Sequence, residues 1–148
     1  MRKPAKTTQV AVGVISRQGR YLICQRRAGT FLGGYWEFPG GKREANETWE
    51  ACLRRELREE LGVAVRAVRQ FAKMQYHYAG GVVYFRAFRC GIARGRPRPL
   101  AAEEVRWVQP QALSKYRFPP ANRRLIVLLA QKRTKGRFVS NLAGVPRL

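Results

Sequence analysis

The chain has 148 residues, enough for one domain with a sizeable core and too few for two. Hydrophobic residues make up 45% of it, which excludes a disordered chain, and no run of about 18 apolar residues suggests a membrane span. Thirty Lys and Arg stand against nine Glu and no Asp, a net charge of +21 that favours polyanions, nucleotides or RNA among them, as partners. A compositional preference for Arg is the alternative source of that charge. The start, MRKPAKTTQ, has no apolar run behind its basic residues, so no signal peptide is expected. Cys24, Cys52 and Cys90 are widely spaced in apolar segments, which predicts reduced thiols in a cytoplasmic protein and no zinc site.

Residues 9–16 (QVAVGVIS) are apolar and β-branched and predict a strand, with a turn at Gly19 and a second strand over 21–25. Arg26 and Arg27 follow at the strand end, a pair suited either to phosphate or to plain surface charge. Residues 29–34 predict a flexible loop, and Pro39-Gly40-Gly41 a tight turn that can aim peptide groups at a ligand. Thr48 is a helix cap, Leu53, Leu57 and Leu61 make one apolar stripe, and Gly62 is the left-handed stop. Beyond it, 63–78 and 82–92 read as a hairpin about the turn at 79–81. Residues 93–99 (ARGRPRP) form a basic, proline-bearing loop, and 104–108 a short strand. After a turn over 109–116, a final helix is expected over 121–132, started by Pro119-Pro120 and apolar at Leu125, Leu128 and Leu129. The domain is expected to span 1–132, with a basic, loosely held tail over 133–148. His77 is the only histidine and reads as structural, and the absence of others and of a G-x-S-x-G elbow argues against a His-based triad.

Seven of the nine acids lie between Glu37 and Glu60; the others are Glu103 and Glu104. Glu56, Glu59 and Glu60 fall within a wedge of about 100° on the helix between Thr48 and Gly62. Carboxylates so close repel one another, and a hard cation such as Mg²⁺ or Mn²⁺ relieves that repulsion and is readily shared with substrate phosphates. Arg55 reads as an internal partner that orients a glutamate. The competing reading is a solvated helix with pairs such as Glu50–Arg54 and Arg55–Glu59.

Residues 41–63 (GKREANETWEACLRRELREELGV) fit the pattern G-x(5)-E-x(7)-R-E-U-x-E-E-x-G-U, with U bulky and apolar, at every fixed position. Gly41, Glu47, Arg55, Glu56, Leu57, Glu59, Glu60, Gly62 and Val63 fill the slots. The chain thereby resembles the Nudix hydrolases, and QVAVGVI, RRA, WEFPGGK and FPPAN resemble their MutT-like nucleoside triphosphate pyrophosphohydrolases, some of which act on 8-oxo-dGTP. The resemblance implies an α/β/α sandwich, a mixed sheet flanked by helices. It implies metal, Mg²⁺ or Mn²⁺, on Glu56, Glu59, Glu60 and the Gly40 carbonyl. Gly41, Glu47, Arg55 and Gly62 are then structural, Arg27 and Lys42 lie near phosphate, Glu37 and Phe38 lie near the nucleotide, and Asn122 reads the base. A further acid common in relatives is represented only by Glu103 or Glu104. The expected products are a nucleoside monophosphate and pyrophosphate. The alternatives are a pyrophosphohydrolase of RNA 5′ ends and a non-catalytic binding module; the intact glutamates disfavour the second.

Overall fold

The computed structural model describes residues 5–131; the expected tail over 133–148 and the end of the final helix at Lys132 lie outside them. Among these residues the chain makes seven strands and two α-helices: β1 (Lys6–Arg17), β2 (Arg20–Gln25), β3 (Trp36–Glu37), β4 (Gly40–Lys42), α1 (Trp49–Leu61), β5 (Ala64–Tyr78), β6 (Gly81–Arg94), β7 (Glu104–Val108) and α2 (Arg123–Ala130). The sheet runs β3-β2-β1-β6-β5, with β4 added to β1 and β7 to β2. β1 and β6 are parallel from Lys6↔Gly81 to Ile15↔Cys90, and the other pairings are antiparallel, so the sheet is mixed as expected.

Alternation along β1 sends successive side chains to opposite faces. Val12 and Val14 join Leu125 and Leu129 of α2 in one core, and Ala11 and Ile15 join Leu53, Leu57 and Leu61 of α1 in the other. β6 is covered on both faces, with Ala87 in the first core and Phe88 and Cys90 in the second. That is why its sequence reads as a continuous apolar run rather than an alternating one. No helix among the described residues is long and apolar enough to cross a membrane. Cys24, Cys52 and Cys90 are buried and free, and burial raises all three thiols, Cys52 to about 11 and Cys90 to about 12.

The expected turn at 39–41 is in part a strand. Gly40, Gly41 and Lys42 pair with Val12, Ala11 and Val10, so the Gly-rich segment is an edge of the sheet rather than a free loop. The final helix also differs. Pro120–Asn122 is a 3-10 turn, with Asn122 N–H donating to Pro119 O at 3.0 Å and Arg123 N–H to Pro120 O, and the α-helix begins only at Arg123; such a tightened first turn is common at helix N-termini. Leu125 and Leu129 are buried and Leu128 only partly so.

Close approach of α1 to the sheet depends on Gly13. A β-carbon there would stand 3.1 Å from Leu57 Cδ1 and 3.2 Å from Leu53 Cδ1. Gly13→Val is therefore expected to push α1 off the sheet and to cost roughly 1–3 kcal/mol, the usual cost of overpacking. Thermal unfolding checks this; a melting temperature within a degree of wild type contradicts the packing described here.

Candidate active site

α1 carries the acidic groups and is held at both ends by its own caps. Thr48 is extended and its hydroxyl accepts from the Ala51 N–H at 3.0 Å. Gly62 is left-handed (φ 72°, ψ 27°), and its N–H donates to Arg58 O at 2.9 Å. The loop after β6 satisfies further carbonyls there: Arg98 N–H donates to Leu61 O and Leu100 N–H to Glu60 O.

Arg55 organises the glutamates. Its fork meets Glu47 twice, Nε to Oε2 at 3.1 Å and Nη2 to Oε1 at 2.6 Å. Nη1 donates to Glu56 Oε1 at 2.9 Å and to Glu59 Oε2 at 3.4 Å, and Nη2 to Lys42 O at 3.1 Å. These hydrogen bonds hold Glu47 down at about 2 and raise Arg55 above its ordinary value, the bond to Glu47 being the largest influence on each. Glu47 also accepts from the Glu44 N–H at 2.8 Å, which ties β4, the following turn and α1 together.

Glu56 lies directly against Gly41, where any β-carbon would collide with its carboxyl group. A glycine in this position thus lets the carboxylate reach the β4 backbone. Glu60 is half-buried, and its Oε2 accepts from Gly40 N–H at 3.2 Å. Burial pushes the Glu60 carboxyl up to about 8; the neighbouring charges of Glu56 and Glu37 add to the rise, and the Gly40 N–H opposes it. Glu56 is thus near enough to Glu60 to raise it, whereas Glu59 is exposed and turned to Arg55. Among the described residues no three acidic, His or Cys side chains converge as a ready-made metal cluster. The carboxylate pair nevertheless suits a hard divalent cation, which relieves the same repulsion that a proton relieves now.

The remaining expected residues fall around this pair. Arg27 is exposed and donates from Nη2 to Leu100 O at 3.1 Å, which places it by the C-terminal end of α1. Its neighbour Arg26 instead pairs with Glu37 at 2.9 Å. Lys42 is exposed on β4. Phe38 is buried and stacks on Phe118, with ring centroids 5.4 Å apart, so that face of its ring is occupied by protein. The same stacking brings the FPPAN segment beside the WEFPGG segment and half-buries Asn122, whose side chain makes no capping hydrogen bond. Glu104 is taken up by Arg106, which grips both its oxygens, and Glu103 is exposed. Glu37, an acid beyond α1, contributes to raising Glu60, and the pairing of β3 with β2 (Cys24↔Glu37) places it there.

Protonation of Glu60 predicts a pH dependence. Its folded value lies above the unfolded one, so between about 4.5 and about 8 the folded chain holds the extra proton, and stability falls as pH rises through that window. Glu47 acts at lower pH and leaves this window untouched. The metal-free protein should melt at lower temperature near pH 8 than near pH 5, Glu60→Gln should lose most of that difference, and Mn²⁺ should raise the melting temperature more at the higher pH. A larger Mn²⁺ effect at the lower pH contradicts the assignment.

Comparison with known proteins bears on the family and the fold. A family model described as NUDIX domain matches residues 10–128. The 8-oxo-dGTP diphosphatase of Haemophilus influenzae is 36% identical over 122 residues, covering 82% of this chain and 90% of that protein. The CTP pyrophosphohydrolase of Escherichia coli is 32% identical over 117 residues, covering 79% and 87%. The solved MutT NUDIX hydrolase of Burkholderia pseudomallei has the same fold, with a TM-score of 0.75 at 24% identity over 82% of this chain and 97% of that one. With the family pattern complete over residues 41–63, and Glu56 and Glu60 set against β4, the chain belongs to the NUDIX domain family of hydrolases.

Proposed function

We propose that the protein hydrolyses nucleoside triphosphates, purine or oxidised purine nucleotides such as 8-oxo-dGTP among them, to a nucleoside monophosphate and pyrophosphate in the cytoplasm. The observation that carries this reading is the Glu56–Glu60 pair set against the Gly40–Gly41 edge. Glu56, Glu59, Glu60 and the Gly40 carbonyl would hold Mg²⁺ or Mn²⁺, which when bound neutralises phosphate oxygens and acidifies water. Glu59 must leave Arg55 to join them. Glu60, ionised once a cation is bound, would present a carboxylate oxygen to take the proton of the attacking water. Arg27 and Lys42 would supply positive charge for the phosphates. The relatives named for 8-oxo-dGTP and CTP support a nucleotide substrate.

Asn122 is the candidate base reader. An amide offers a donor and an acceptor, and a wrong base leaves one unpaired at about 1–3 kcal/mol. The alternative role, capping α2, has no hydrogen bond to support it. Asn122→Ala should therefore erase most of the ranking of kcat/KM among bases, roughly a 10-fold loss or more, and leave the melting temperature unchanged. If the variant keeps the wild-type ranking, Asn122 does not read the base.

The net charge of +21 favours a second reading, pyrophosphate removal from RNA 5′ ends. A screen of NTPs, dNTPs, 8-oxo-dGTP and 5′-triphosphate RNA for pyrophosphate release separates the two. Turnover of RNA alone overturns the first.

A further inference from the structure

The β1–β6 ladder ends at Ile15↔Cys90, where β1 turns away to pair with β2 through Ser16↔Tyr21. β6 continues with β5 on its other side as far as Ala64↔Arg94. A wedge opens between the diverging strands, a cavity of about 540 Å³ lined by Ser16, Arg17, Gly91, Arg66 and Arg94 among others. Its lining includes three arginines and no acid. Arg66 and Arg94 have no acidic partner among the described residues, and Arg17 stacks over Trp107 at 4.4 Å.

The chain is bent to build this lining. β5 carries an irregularity between Arg66 and Arg69, and Ala67 within it takes a left-handed backbone (φ 54°) that non-glycine residues rarely adopt. Arg66, just before it, lies across Gly91, its Nε 3.6 Å from where a β-carbon would stand. The wedge is separate from the glutamates. Gly40 pairs with Val12, four residues before Ser16, about 13 Å along β1.

We propose that this wedge is a second, non-catalytic binding site for phosphate oxyanions, those of a nucleic-acid strand. Three arginines in a lining without an acid suit a polyanion, and Arg17, held flat on Trp107, presents a planar cation on which a base can stack. The proposal does not rest on the hydrolytic reading.

The test compares wild type with Arg17→Gln/Arg66→Gln/Arg94→Gln, and with a control, Lys6→Gln/Lys73→Gln/Lys115→Gln, that removes equal charge from exposed positions elsewhere. Binding of a labelled short oligouridylate is followed by fluorescence anisotropy across salt. The wedge variant should bind at least about 10-fold more weakly and lose about 2 from the log–log salt slope, while the control changes less than half as much. Equal losses in the two, or none in either, overturn the proposal. Arg66→Gln/Arg94→Gln keeps the test valid should loss of Arg17 from Trp107 unfold the triple variant. Tripolyphosphate, titrated by calorimetry, separates the sources: binding of it that depends on the wedge, beside unchanged oligouridylate binding, overturns the strand as ligand. Hydrolysis of a free nucleotide should be unchanged in the wedge variant; a loss would join the wedge to the glutamate site and overturn its independence.

Discussion

Glu60→Gln and Glu56→Gln should each lower kcat by about 10²–10³-fold while the protein keeps its fold. In the first variant the new amide oxygen could still accept from Gly40 N–H, so the geometry at the β4 edge survives and only the charge and the basic oxygen are lost. In the second, the amide retains an oxygen for Arg55 Nη1. Neither change removes buried apolar contacts, and removing one of two repelling carboxylates relieves the other. The melting temperature of each variant should therefore equal or exceed that of wild type in the absence of metal. Steady-state kinetics and thermal unfolding on the same preparations check both halves. A variant that turns over at the wild-type rate would show that the carboxylate in question is not part of the machinery. One that simply unfolds would show that it is a structural group.

Arg55→Ala should be the most damaging change outside the carboxylates, because Arg55 is a positioning residue for four partners at once. It leaves Glu47 without its two charged hydrogen bonds, Glu56 unpaired beside Glu60, and Lys42 O without its donor. Activity is expected to fall by about 10²-fold and the melting temperature by several degrees. A readout specific to positioning distinguishes this from general damage. With the Arg55 charge gone, Glu56 weighs more heavily on Glu60, so the acid limb of the pH–rate profile should move to higher pH. Arg55→Lys should rescue little, since an ammonium cannot repeat the forked contact with Glu47. Full rescue by Lys, with the profile unmoved, would reduce Arg55 to a point charge.

α1 was readable in the sequence because its signals are local. A capping Thr48, leucines at every fourth position and a terminating Gly62 each act within one turn of the residues they govern. The Arg55 partnership was readable for the same reason as far as Glu59, four residues on. The role of Glu47 needed the family pattern, because it depends on the turn that folds β4 back onto the helix. In sequence β4 reads as a turn: three residues, two of them glycine, have no side-chain alternation to betray a strand, and only pairing with β1 makes them one. Glu37 entered as a residue near the nucleotide, and its bearing on Glu60 follows from β3 lying beside β2, a contact between distant segments. Glu103 and Glu104 were candidates by their position in the chain alone. The register of β7 against β2 (Gln25↔Glu104) instead leaves Glu104 to Arg106. The wedge of arginines was invisible for a similar reason, since Arg17, Arg66 and Arg94 meet only where two paired strands part.

The most direct measurement of the central claim is to identify the products of a single nucleoside triphosphate incubated with the purified protein. Anion-exchange separation of the mixture with Mg²⁺ should show nucleoside monophosphate and pyrophosphate rising in equal amounts, and neither forming in excess EDTA. Release of nucleoside diphosphate and orthophosphate, or the same products at the same rate in EDTA, would contradict the account.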